Sequence, residues 1–246
     1  MNDFAITIDT EWVPDKVLED CIDLLNYYNV KATIFCTGYI NINKDKLKNH
    51  ELCIHPNFKN IETLEKEIGN LIKIYPKAKG IRFHALFTSS RFYPIYNKFN
   101  LEYESSYFMY LKDDIKPFLM GDNILQFPIY FLDYFHLFCF KSVGFKKQGL
   151  FSIKNFPLEK SGLKIFIFHP IHIFLNSNKL EFYQEAKKYY NQPDKLMELR
   201  RKQKEPGIRD LFKELLLYLK ENKISSKTLL EINYEWRKKQ DINSRK

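Results

Sequence analysis

Short apolar runs that stop abruptly at acids or imidazoles recur along this chain, and the recurrence restricts the folds open to it. Phe4-Ala-Ile-Thr-Ile runs into Asp9, Leu52-Cys-Ile into His55, Gly80-Ile-Arg-Phe into His84, and Lys164-Ile-Phe-Ile-Phe into His169. Such runs read as strands buried on both faces. Helical spacing lies between them, with Val17, Cys21, Leu24 and Leu25 in one interval and Leu64, Ile68, Leu71 and Ile72 in another. The alternation predicts parallel βα units. Parallel sheets and barrels carry their chemistry at the carboxyl ends of strands, so these ionisable residues are expected on one face.

The 246 residues, 45% of them apolar, suit one substantial core, and an α/β barrel fits this length in one domain. Further strands are expected at Val30–Cys36, Leu101–Tyr107 and Leu125–Phe131, with others at Leu150–Phe156 and, closing the sheet, Thr228–Ile232. Ser89–Phe99 reads as helical, and Leu211, Phe212, Leu215, Leu216 and Leu219 mark an amphipathic helix. Residues 1–246 read as a single domain in which 177–205 form a helical insertion or lid.

The formal charge of +9 is concentrated toward the end of the chain, in Lys187-Lys188, Arg200-Arg201-Lys202 and Arg237-Lys238-Lys239. On polar helical stretches these read as solvated faces; attraction to an anionic partner is the sharper alternative. No nucleic-acid-binding motif accompanies them. Cys21, Cys36, Cys53 and Cys139 lack paired spacing and read as small buried hydrophobes of a reducing compartment. Asp3 interrupts any signal peptide, and the longest apolar run, Phe127–Phe140, contains Asp133 and His136 and is too short to span a bilayer. These features predict a cytoplasmic protein that is not integral to a membrane.

Strand alternation puts Asp9 and Glu11 on one face, where two carboxylates require a cation or a shared proton. Pro56 extends His55, so His55 and Asn57 share a face, as expected of a metal ligand with a polar neighbour. Arg82 and His84 share a face too, and Arg82 suits a carboxylate such as Asp9. Pro170 ends the last strand, so His169 and His172 can converge, and a histidine here suits general-acid work. Asp133 and His136 sit in an aromatic stretch where burial demands a partner, and Asp133 suits the orientation of a catalytic histidine.

These motifs together resemble the polysaccharide deacetylases of the NodB-homology group, carbohydrate esterase family 4. Thr7-Ile-Asp-Thr-Glu resembles the family's Thr-Phe-Asp-Asp-Gly, and Ala32-Thr-Ile-Phe its second-strand signature. Glu51-Leu-Cys-Ile-His55 resembles the run into its His-x-x-x-His metal motif. Gly80-Ile-Arg82 resembles its arginine motif, and Phe166-Ile-Phe-His169 its last motif. Asp-Thr-Glu-Trp, His-Pro-Asn-Phe, Arg-x-His and Phe-His-Pro-Ile-His-x-x-Leu-Asn resemble a subgroup associated with O-antigen or capsule gene clusters.

The resemblance implies a distorted (β/α)7 barrel with an extra helical excursion toward the C-terminus. It implies a hydrolase that removes an acyl group, expected to be N-acetyl, from an amino sugar or a nucleotide- or lipid-linked glycan precursor. It further implies a divalent metal, expected to be zinc. By position Asp9 is the general base, His169 the general acid, Arg82 the holder of the base, and His55 a metal ligand. Asn57, Trp12 and Asn176 are assigned to substrate binding. Two positions depart from the pattern: Thr10 replaces the family's second Asp and Lys59 its second His. Glu11 is the candidate replacement ligand, and His84 or His172 the third; His172 alternatively orients His169. A metal-independent C–N hydrolase and a non-catalytic glycan-binding protein are the other readings.

Overall fold

In the computed structural model, residues 3–57, 59–139 and 150–241 are described; the side chains of Asp122, Phe138 and Cys139 are outside that set. Among the described residues, nine strands form one sheet: β1 Phe4–Asp9, β2 Ala32–Cys36, β3 Glu51–Ile54, β4 Gly80–Ile81, β5 Tyr103–Glu104, β6 Phe118–Leu119, β7 Leu125–Gln126, β8 Phe131–Leu132 and β9 Lys164–Phe168. Their order is β6-β7-β5-β4-β3-β2-β1-β9-β8. Every ladder is parallel except β6 with β7.

Strands β7 and β8 are the two ends of one stretch, 125–132, which bends at Tyr130. Phe127 N–H donates to Glu104 O (2.8 Å) on the β5 side, and Tyr130 N–H to Ile165 O (2.9 Å) on the β9 side. Pro128, which has no N–H to offer a ladder, stands between them. The stretch joins both edges of the curled sheet, so seven strand positions surround a distorted (β/α)7 barrel. β1 and β9 are buried along their whole length, as their unbroken apolar runs predict.

One core cluster fills the barrel with Ala5, Phe35, Cys53, Tyr103, Phe127 and Ile165. The larger cluster lies between the sheet and the outer helices α1 (Asp15–Tyr27), α3 (Ile61–Ile74), α4 (Tyr93–Lys98) and α9 (Ile208–Glu221), with the short helix α2 at Lys44–Leu47. α5 (Asp133–Cys139) follows β8 directly, and α6 (Pro170–Leu175) follows β9 with Pro170 in its first turn.

Several expected elements differ. Thr228–Ile232 is not a strand but the start of α10 (Leu229–Lys239): Thr228 accepts from Glu231 N–H, and the Glu231 carboxylate accepts from Thr228 N–H. That capping box, with Leu229, Ile232 and Trp236 at helical spacing, outweighs the β-branched residues. α10 closes the amino end of the barrel, where Leu229 N–H donates to Thr33 Oγ1 and Leu230 N–H to Glu51 Oε2. Leu150–Phe156 is a loop with a 3-10 turn at Ile153–Asn155. The fifth strand is only two residues long.

The 177–205 excursion is helical: α7 (Leu180–Lys187) and α8 (Pro193–Lys202) pack on α1 and α6 through Val17, Ile171, Phe174, Ala186 and Leu196. Cys21, Cys36 and Cys53 are buried free thiols; the Cys139 side chain and Phe140 lie outside the described residues. Among the described residues, no helix is long and apolar enough to cross a membrane.

Candidate active site

The carboxyl ends of β1, β4, β8 and β9 open into a cavity of about 880 Å³, lined by Asp9, Glu11, Trp12, His84, His169 and His172 among others. Asp9, the last residue of β1, is buried, and its Oδ1 accepts from Arg82 Nη1 at 2.7 Å. Arg82 is wholly buried and spends its other donors on Thr7 Oγ1, Ser105 O and Ser105 Oγ, each at 2.8 Å. The guanidinium lies 4.1 Å above the Phe35 ring. A buried ion pair is tolerable only when its remaining donors are engaged, and here four of the five Arg82 N–H donors are.

Glu11 reaches the same cavity by a turn rather than by strand alternation. β1 ends at Asp9, and Glu11 (φ 48°) and Trp12 (φ 56°) are both left-handed. Such residues cost about 1–2 kcal/mol each and need to be held. Thr10 N–H donates to Phe35 O (3.1 Å), Trp12 N–H to Thr37 Oγ1 (3.1 Å), and Tyr190 OH to Glu11 O (2.7 Å). Thr10, in place of the family's second acid, serves this turn through Thr37 N–H (3.0 Å).

Glu11 Oε1 lies 2.9 Å from His55 Nε2 and 2.8 Å from His84 Nδ1. Burial pushes the Glu11 carboxyl upward, but the hydrogen bonds from His55 and His84 outweigh it and hold Glu11 well below the carboxylate range. The bond to Glu11 raises His84 against its burial. The Nδ1 of His55 faces only Arg82 O (2.7 Å), so Nδ1 carries the proton and donates it. Its Nε2, turned to Glu11, either donates a second proton in the hydrogen bond to that carboxylate or gives its lone pair to a cation.

These three donor atoms lie within 4.8 Å of one another. Their chemistry, two imidazole nitrogens and one carboxylate oxygen, suits zinc with an open position. Lys59, where the resembled family has histidine, is exposed, and the third donor of this group is His84.

His169 follows β9 and meets Asp133, the first residue of α5. His169 Nδ1 donates to Asp133 Oδ1 (2.6 Å) and its backbone N–H to Oδ2 (2.7 Å). Burial lowers the imidazole pKa, but the charge and hydrogen bond of Asp133, with Glu11 and Asp9 behind it, raise it to about 9. Burial acts to raise Asp133, yet the His169 charge and hydrogen bonds leave it below its ordinary value. Nε2 of His169 remains for the cavity, 3.9 Å from Glu11 Oε1.

His172 lines the cavity but does not join Glu11, His55 and His84. It lies on α6 with Nδ1 3.2 Å from Ser177 Oγ, grouped instead with Asp133 and His169. The oxygens of Asp133 are already engaged by His169, which makes that group a positioned imidazole rather than an open donor set. Burial lowers His172 to about 4, so it is neutral.

Asp133 orients His169 and not its neighbour His136. Tyr110 OH donates to His136 Nδ1 (2.6 Å), and His136 Nε2 donates to Leu150 O (2.7 Å). Asn57 is half-buried and does not line the cavity. Asn176 is also not brought to the site: left-handed at φ 53°, it caps α6, and its side chain accepts from Arg209 N–H (3.0 Å) and donates to Asp210 Oδ2 (2.8 Å) at the start of α9. Trp12 is at the cavity, edge-on to His84 at 5.4 Å.

Sequence reasoning missed Tyr134, Tyr183 and Tyr190, and read Lys187-Lys188 as a solvated face; all five line the cavity. The only signals were the aromatic stretch around Asp133, for Tyr134, and the aromatic and basic density of the excursion, for the other four.

A family model described as WbmS-like polysaccharide deacetylase matches residues 6–187. Among solved structures, a Bordetella bronchiseptica protein proposed as a polysaccharide deacetylase involved in O-antigen biosynthesis gives a TM-score of 0.76 at 22% identity, covering 88% of this chain and 90% of that one. A proposed polysaccharide deacetylase from Mycobacterium smegmatis gives 0.59 at 14% identity, covering 99% and 92%. At these identities the likeness is one of fold, and it extends over nearly the whole chain. No curated protein matches the sequence.

Proposed function

We propose that this chain, which belongs to the WbmS-like polysaccharide deacetylase family, hydrolyses the N-acyl group of an amino sugar in a surface-glycan precursor. The observation that carries the reading is one cavity lined by Glu11 and His84, the held carboxylate Asp9 and the held imidazole His169, with His55 buried behind Glu11 to complete the donor triad.

Asp9 is the general base. Arg82 occupies Oδ1, which leaves Oδ2 to accept a proton from the attacking water. His169 is the general acid: it carries its proton at neutral pH, and Nε2 delivers that proton to the leaving amine nitrogen. Asp133 holds the ring by Nδ1 and stabilises its charge. Glu11, His55 and His84 are the residues that would hold a divalent cation, with His55 fixed by Arg82 O. Such a cation supplies Lewis acidity toward the acyl carbonyl and lowers the pKa of water. Trp12 offers an exposed aromatic face to the sugar ring.

Metal analysis of protein purified without chelator, paired with an acetate-release assay on N-acetylated amino sugars, tests the proposal. The expected result is stoichiometric metal, lost in Glu11→Gln, and chelator-sensitive release. Turnover without metal would assign a metal-independent hydrolase, and sugar binding with neither metal nor turnover a glycan-binding protein.

A further inference from the structure

Among the described residues, Asp9 and Glu11 are the only acids lining the cavity, and Lys187 and Lys188 line it from the exposed end of α7. A chain of contacts connects the two regions. The His172 ring lies 5.8 Å from that of His169, and Tyr183 of α7 packs edge-on to His172 at 4.5 Å. Lys187 follows Tyr183 by four residues, on the same helix face, with its ammonium 5.6 Å from the Tyr183 ring. One helical turn, ~5–6 Å, thus separates the aromatic contact from a cation farther out.

Neither lysine has an ion-pair partner within 4 Å among the described residues. The segment carrying the pair is tied to the site, since Tyr190 OH donates to Glu11 O. Two unpaired cations at the mouth of a cavity whose acids are deep favour a ligand that is neutral at the reacting amide and negative farther out.

We infer that Lys187 and Lys188 form a subsite for an anionic group, a phosphate or a carboxylate, carried by the acylated sugar. The inference rests on the proposed deacetylation for its reaction and on separate residues for its charge preference. Lysines bind such groups as point charges, and the contact weakens with salt.

The test compares kcat/KM for acetate release from a neutral N-acetylglucosamine methyl glycoside, N-acetylglucosamine 1-phosphate and N-acetylglucosaminuronic acid, at low and high salt. An anionic sugar is expected to be preferred by about fivefold to tenfold, the scale of two exposed charge contacts. Lys187→Gln/Lys188→Gln and high salt both collapse the anionic-to-neutral ratio, mainly through KM. Which anionic sugar responds identifies phosphate or carboxylate. Equal kcat/KM for neutral and anionic sugars overturns the subsite and leaves deacetylation standing. If no sugar releases acetate, calorimetric titration of the same three decides. Tighter binding of an anionic sugar, abolished in the double variant, supports the subsite while the reaction fails; equal binding overturns it.

Discussion

Asp133 engages His169 twice, accepting from the ring Nδ1 at 2.6 Å and from the backbone N–H at 2.7 Å. One carboxylate therefore sets both the position of the residue and the proton on its ring, because α5 begins where β8 ends and β8 pairs with β9.

Asp133→Asn removes the charge that raises His169 to about 9. A general acid works only while protonated, so activity falls as pH rises through the folded pKa. The alkaline limb of the kcat profile is expected to move down by about two pH units, with a roughly tenfold loss at pH 8. The stability contributed by the raised imidazole is complete below pH 6.5 and lost as pH rises through about 9. An unchanged limb would remove Asp133 from proton positioning.

Arg82→Met strands Asp9 as a buried carboxylate beside Thr7. Removing one member of a buried pair costs about 3–5 kcal/mol, measurable by urea denaturation. Acetate release is expected to fall with it, whereas a loss near zero would mean that Asp9 reaches solvent without the arginine.

Tyr190→Phe takes away one of the bonds holding the left-handed Glu11–Trp12 turn. Stability should drop by about 1 kcal/mol. Metal affinity should weaken by roughly tenfold, as expected when support of a ligand is lost. Competition with a chromophoric chelator measures the affinity, and unchanged affinity would sever the excursion from the donor set.

Glu104 tests a buried acid away from the cavity. Burial pushes its carboxyl up to about 7, although neighbouring Ser106, Thr88 and Gln126 pull it back. The folded protein then binds a proton that the unfolded chain releases near 4.5. Stability should fall as pH rises from about 4.5 to 7, by on the order of 3 kcal/mol. In Glu104→Gln that pH dependence should flatten, so the variant gains on the wild type at pH 8 in thermal denaturation.

The βα alternation was legible because strands buried on both faces write unbroken apolar runs, as Lys164–Phe168 does. The ionisable residues ending them were legible for the same reason: Asp9, His55, Arg82 and His169 break those runs. Short strands such as Tyr103–Glu104 carry too little periodicity to be bounded. Thr228–Ile232 was misread because its leucines and isoleucine suit either period, and only the Thr228–Glu231 box separates them.

The amino-acid sequence by itself determined the parallel α/β class and which acids and imidazoles gather at the carboxyl ends of its strands. Tertiary structure decided their partnerships. Asp133 meets His169 rather than His136, His84 joins Glu11 and His55 while His172 does not, Asn176 caps helices, and Lys187 and Lys188 reach the cavity from a distant excursion. Such pairings depend on sheet order and on left-handed turns held by remote hydrogen bonds, and neither is written in local spacing.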